Sequence, residues 1–152
     1  MLNRRELLSH STKVAALLAA TGLLPQMAHA AYNTAAFDVK SMADLVKLLG
    51  GSTPTESKDV TITAPDIAEN GAVVPVGVSS AAPGVKRLLV LVEKNPSVMS
   101  AMFEVSDAVD ANFATRVKMG QSSNVYAVAM MGDGKVLFAQ KEVKVTLGGC
   151  GG

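Results

Sequence analysis

Asn124-Val125-Tyr126-Ala127-Val128-Ala129-Met130-Met131 and Lys135-Val136-Leu137-Phe138-Ala139-Gln140-Lys141-Glu142-Val143-Lys144-Val145-Thr146-Leu147 are two strand-like runs separated by Gly132-Asp133-Gly134. Asp133-Gly134 between apolar runs is a strong hairpin signal, because glycine reaches the positive φ that tight turns need. In the second run Val143, Val145 and Leu147 alternate with Glu142, Lys144 and Thr146, which predicts a half-buried strand over 135–147. Working back, Leu88 to Val92 is continuously apolar inside Val85 to Glu93, as expected for a strand covered on both faces. Val60 and Ile62 alternate with Thr61 and Thr63. Val73 to Ser79 is a further run, in which Pro75 points to an edge or a bulge. Met99 to Ser106 and Phe113 to Met119 complete the set, punctuated by Asn70-Gly71, Pro83-Gly84 and Asn95-Pro96. About seven short strands at this spacing predict an all-β domain over 58–147, an antiparallel β-sandwich of immunoglobulin-like type, with a jelly roll or small barrel as the alternative.

Residues 31–57 read as a short N-terminal helix and a linker. Ser41-Met42-Ala43-Asp44 has the form of a capping box; Met42, Leu45, Val46, Leu48 and Leu49 follow at helical spacing, and Gly50-Gly51 ends the run. A helix of this kind packs its apolar stripe on the core. Residues 1–30 read as an export signal: Arg4 and Arg5 form the basic start, Val14 to Leu24 the apolar stretch, and Ala28-His29-Ala30 a small-x-small cleavage site, leaving Ala31 first in the mature chain. The apolar stretch is shorter than the roughly 20 residues of a membrane span and is broken by Thr21, Gly22 and Pro25. Asn3-Arg4-Arg5-Glu6-Leu7-Leu8 resembles the twin-arginine export pattern, with Asn3 and Leu7 departing from its usual residues. The expected location is the periplasm.

The leader holds Arg4, Arg5 and Lys13 of the 14 basic residues and Glu6 of the 13 acidic ones, leaving 11 and 12 and a net charge of −1. That balance gives no electrostatic case for nucleic acid or an anionic membrane surface. Both histidines, His10 and His29, also lie in the leader. Without them the mature chain has no Ser-His-Asp or Cys-His pair and no imidazole metal ligand, and its one cysteine forms no CxxC pair or internal disulfide. Asp107 and Asp110 read as turn residues, and Asp66 and Glu69 flank a loop. No cofactor or metal is implied, and the residues argue against independent catalysis. Met99, Met102, Met119, Met130 and Met131 read as core filling, with an adaptable contact surface as the alternative. Arg116 and Lys118 share one strand face, either solvated or turned to an anionic partner.

The sequence closes with Gly148-Gly149-Cys150-Gly151-Gly152. Four glycines without side chains predict a flexible arm that presents the Cys150 thiol beyond the last strand, roughly 10 Å past Leu147 when extended. No histidine or cation beside Cys150 in the sequence activates it as a nucleophile. Its expected role is a covalent handle, with activation supplied by other proteins. Two alternatives stand at this point: a ubiquitin-like carrier using a thiocarboxylate on Gly152, and a structural adaptor using the cysteine for an intermolecular disulfide. A thiol peroxidase is weaker, for want of an activating base.

Four segments carry a family resemblance. They are Ile67-Ala68-Glu69-Asn70-Gly71-Ala72-Val73-Val74-Pro75-Val76, Glu93-Lys94-Asn95-Pro96, Thr115-Arg116-Val117-Lys118-Met119, and Val143-Lys144-Val145-Thr146-Leu147-Gly148-Gly149-Cys150-Gly151-Gly152. Across the mature chain the sequence resembles the SoxY family, sulfur-carrier subunits of periplasmic thiosulfate-oxidising systems. The resemblance implies an immunoglobulin-like domain in a heterodimer with a SoxZ-like subunit. Sulfur intermediates would be held covalently on Cys150, beginning with a cysteine S-thiosulfonate, with Gly148, Gly149, Gly151 and Gly152 as the swinging arm. It further implies a SoxAX-type haem cytochrome to load the thiol, a SoxB-type hydrolase to release sulfate and, in some systems, a sulfane dehydrogenase.

Overall fold

A computed structural model describes residues 35–146, together with Asn3, His10 and Lys13. The remainder of the expected leader, Leu147 and the Gly148–Gly152 arm with Cys150 lie outside the described residues. Contacts divide the chain into Met1–Tyr32 and Asn33–Gly152, and the elements below belong to the second unit.

Alternation along the strands sorts their side chains onto two faces. β1 (Thr55–Glu56), β2 (Val60–Thr63), β3 (Ile67–Ala68), β4 (Val74–Ser80), β5 (Val85–Val92), β6 (Met99–Glu104), β7 (Asn112–Val117), β8 (Ser123–Met131) and β9 (Val136–Val145) form two sheets. The larger runs β1-β9-β8-β5-β6, with β3 also paired to β9; the smaller is β2-β4-β7. Val60, Val74, Val76, Val78 and Val117 of the smaller sheet share a core with Leu88, Val90, Val92, Val125, Ala127, Ala129, Leu137 and Val143 of the larger. The intervening residues Leu89, Leu91, Val128, Met130 and Val136 face the opposite way and pack with Ala36, Leu45 and Val46 of two short helices, α1 (Ala35–Asp38) and α2 (Met42–Leu48). The larger sheet is therefore covered on both faces, and Leu88 to Val92 are each 0% exposed. Each such side chain removed from water contributes about 1.5–3 kcal/mol.

The α2 cap differs in detail from a reciprocal box. Ser41 Oγ accepts from the Asp44 amide at 3.1 Å and donates to the Asp44 carboxylate at 2.7 Å, so the acid engages the hydroxyl. The helix stops where Gly50 takes φ +84° and its amide reaches Lys47 O at 3.1 Å. Gly51 follows in a tight space: a Cβ there would lie 2.6 Å from Val136 and 2.7 Å from Val46. α1 had no clear signal in the sequence, being a single turn held by packing.

β8 and β9 form the expected hairpin, with Gly134 at φ +86° in its turn. Two pairings depart from the antiparallel expectation. β1 and β3, each two residues long, run parallel to β9, so there are nine strands among the described residues and not about seven. Pro75 lies in the middle strand of the smaller sheet, yet β2 pairs with β4 only from Gly77 to Ser80. At Pro75 only β7 lies alongside, opposite Arg116, which leaves one flank unladdered and tolerates the missing N–H. Met99, Met119 and Met130 are buried as core filling, while Met102 is exposed. No described helix is long and apolar enough to cross a membrane.

The two-faced burial of β5 has a direct test. Leu88→Ala and Leu89→Ala, which face opposite layers, are each expected to lose about 2–5 kcal/mol in denaturant unfolding. A near-neutral result for either would mean that its face is open.

Candidate functional site

The residues that lead toward Cys150 are the last of β9, and they are held on both edges. β8 begins at Ser123, opposite Val143, so the backbone ladder on that side has no partner for the next outward amide. Ser122 supplies it: its Oγ accepts from the Val145 amide at 2.9 Å. On the other edge β3 runs beside the strand end, with Ile67 opposite Lys144 and Ala68 opposite Val145. The Lys144 amide donates to Asp66 O at 3.0 Å and the Thr146 amide to Ala68 O at 3.1 Å. Thr146 Oγ1 donates to the same carbonyl at 3.3 Å.

An ion pair fastens the start of this clasp. Lys141 Nζ, on β9, donates to Ala64 O at 2.6 Å and meets Asp66 Oδ1 at 2.9 Å. The hydrogen bond and charge of Lys141 hold the Asp66 carboxyl below its ordinary value of 3.8. The chain then turns at Asn70, whose Oδ1 accepts from the Ala72 amide at 2.9 Å. Gly71 runs flat against the end of β9: a Cβ there would lie 2.5 Å from Met119 O and 2.8 Å from Val145 Cγ1. Only glycine fits so close an approach. Asn70-Gly71, read from the sequence as a turn, thus also seals the strand end.

A groove of about 550 Å³ lies on the outer face of the smaller sheet, over Gly77 and between Thr63, Pro75 and Arg116. Arg116 lines it; Lys118 follows β7, its carbonyl accepting from Asn95 Nδ2 at 2.7 Å. Arg87 crosses to Glu104 at 2.9 Å and reaches Leu49 O at 3.4 Å. Among the described residues no three His, Cys, Asp or Glu side chains come together as a metal-ligand group. Asp107 sits in a turn and meets Lys86 at 3.5 Å, and Asp110 follows it outside any strand. The expected site residues Gly148, Gly149, Cys150, Gly151 and Gly152 lie outside the described residues. What the structure adds is the clasp. Ile67–Ala68 has no periodicity to read, because a two-residue strand is defined only by a partner more than 70 positions away.

The family model for "Sulfur oxidation protein SoxY" matches residues 45–150. The structure of the sulfur carrier protein SoxY from Chlorobium limicola f thiosulfatophilum is similar at 37% identity and a TM-score of 0.62, covering 68% of this chain and 94% of that one. A variant of the superoxide reductase (neelaredoxin) from Ignicoccus hospitalis is similar in fold alone, at 17% identity and a TM-score of 0.55, covering 71% of this chain and 100% of that one. No curated protein matches.

Ser122→Ala is expected to leave the Val145 amide without its acceptor and to cost on the order of 1 kcal/mol, read as faster hydrogen exchange at Val145 and Thr146. Unchanged protection at both amides would show that Ser122 does not hold the strand end. For the Asp66–Lys141 pair, a depressed folded-state pKa means a contribution that is complete above the ordinary value and lost as pH falls through the folded one. The stability gap between wild type and Asp66→Asn is therefore expected to persist from neutral pH to about pH 4 and to close below it, with salt reducing it throughout. A gap unchanged at pH 2 would remove the ion pair as its cause.

Proposed function

The chain belongs to the SoxY family of sulfur oxidation proteins, and from that premise we propose that it is a sulfur carrier, not a catalyst, which holds intermediates of thiosulfate oxidation covalently on Cys150. The observation that carries this is the extent of the family match, which runs through the sheets and reaches residue 150. The mature sequence supports it, since it holds one thiol and no histidine to activate it.

The chemistry assigned to Cys150 balances without a catalytic group of this chain. Loading joins the thiol sulfur to the sulfane sulfur of thiosulfate, forming Cys–S–S–SO₃⁻ and releasing one proton and two electrons, which a SoxAX-type haem cytochrome takes up. Hydrolysis by a SoxB-type enzyme breaks the S–SO₃⁻ bond with water, giving sulfate, one proton and the cysteine persulfide Cys–S–SH. A sulfane dehydrogenase, in systems that have one, oxidises the sulfur that remains. The carrier's part is to present the adduct, and Gly148, Gly149, Gly151 and Gly152 provide clearance on both sides of it. A SoxZ-like subunit completes the heterodimer. The two-sheet core supports the immunoglobulin-like form of the domain. The leader through Ala30 takes the chain to the periplasm, by the twin-arginine route in view of Arg4-Arg5.

Intact mass, measured before and after reduction on protein purified from cells growing on thiosulfate, tests these assignments. The expected result is a chain beginning at Ala31, with sulfur, sulfite or thiosulfate increments on Cys150 that vanish with reductant. Adducts mapping to the Gly152 carboxyl would favour the thiocarboxylate alternative. Cys150→Ser is expected to abolish thiosulfate-dependent respiration; normal respiration with loss only of a covalent dimer would favour the disulfide adaptor.

A further inference from the structure

An enzyme that takes Cys150 into its active site must approach the end of the sheet where β9 stops. Thr146 is tied to Ala68, and Cys150 lies four residues further on, so an extended chain carries it at most about 14 Å from Thr146. The mouth of any such active site therefore rests on the surface around Thr146. Two of the five large hydrophobic side chains exposed among the described residues stand on the segment that packs against the end of β9: Ile67 at 57%, opposite Lys144, and Val73 at 49%, two residues after Gly71. Ile67 stands in β3, beside Lys144, one residue before the carbonyl that holds Thr146. Val73 closes the Asn70 turn, its amide donating to Asn70 O at 3.3 Å, two residues after the glycine that touches the strand end.

Neither side chain contributes to the cores that their neighbours fill. Ala68, next to Ile67, is 5% exposed, and Val74, next to Val73, is 0% exposed. β3 pairs with β9 alone, so the backbone that displays Ile67 is fixed by the same hydrogen bonds that hold the strand end. Exposed Glu69 and Lys144 lie alongside. An apolar centre with charged neighbours is the composition of a contact patch, and the short tether supplies a high effective concentration, so a small patch suffices for a transient encounter.

We propose that Ile67 and Val73 form the apolar centre of a docking face for the enzymes that act on Cys150, with the hydrolase that releases sulfate from its thiosulfonate as the occupant to be tested. This rests on the carrier function proposed above. The docking face recognises the enzyme surface around its active-site mouth, while the adduct itself is recognised inside.

The experiment uses the mature chain with its stable partner subunit, converted at Cys150 to the S-thiosulfonate, and follows sulfate release against carrier concentration. Ile67→Glu combined with Val73→Glu is expected to raise KM about tenfold with kcat unchanged, bringing it toward that of a peptide over 146–152 with the same adduct. Val109→Glu, an exposed hydrophobic in another loop, is expected to leave both unchanged. Ile67→Ser with Val73→Ser, which adds no charge, should move KM in the same direction and serves if the glutamate pair does not fold. An unchanged KM in a folded pair overturns the docking face. So does separation of the variant from its stable partner on size exclusion, which would assign these residues to that interface. If the loaded wild-type protein itself releases no sulfate, the carrier function fails, and the docking face with it.

Discussion

Strand β9 carries backbone pairing along both edges, and the rest of the molecule is arranged around that demand. On one side β8 satisfies it from Val136 to Val143 through the hairpin. On the other side two short parallel strands do so, β1 at Leu137 and Phe138 and β3 at Lys144 and Val145. An unpaired edge at the end of β9 would leave backbone donors to be met by water or by another chain. Asp66, Ala68 and Ser122 meet them instead, so the last described residues are as firmly bonded as a strand interior.

This edge treatment couples packing to function. Because β9 alternates Val143 and Val145 inward with Glu142 and Lys144 outward, its end is anchored in the shared core as well as by hydrogen bonds. The helices on the opposite face bury Leu89, Leu91 and Met130, which makes the larger sheet a rigid central layer. A cysteine four residues beyond such an anchor has a defined point of departure. In the proposed carrier function the chemistry belongs to other proteins, and the chain's contribution would be position, which requires a fixed base.

Much of the fold was legible because local signals agreed with tertiary need. The unbroken Leu88–Val92 run implied burial on both faces, and the structure supplies a layer on each. Asp133-Gly134 marked the hairpin, and the period of two in β9 assigned its faces. Pro75 points to an edge or a bulge, and it stands in a central strand at a place where only β7 is laddered, since the missing N–H matters only where a second neighbour would stand. What escaped were elements that exist only through distant partners: β1, β3 and the Ser122 side chain that extends the β8 ladder. Two residues carry no period, and a serine in a Gln-Ser-Ser-Asn stretch looks like any loop residue until its hydrogen-bond partner is known.

The sequence by itself determined the all-β character, the positions of the long strands along the chain, the faces of β9, the family, and Cys150 with its glycines as the residues of interest. These depend on side-chain pattern and residue type, which the linear chain carries in full. Only the tertiary structure decided how the end of β9 is held and which apolar side chains are displayed around it. Ala64, Asp66 and Ala68 come to β9 from one stretch of chain and Ser122 from another. Their backbone and side-chain groups acquire a role only when folding sets them within hydrogen-bond reach, because a bond of about 3 Å is a property of the fold and not of neighbours along the chain.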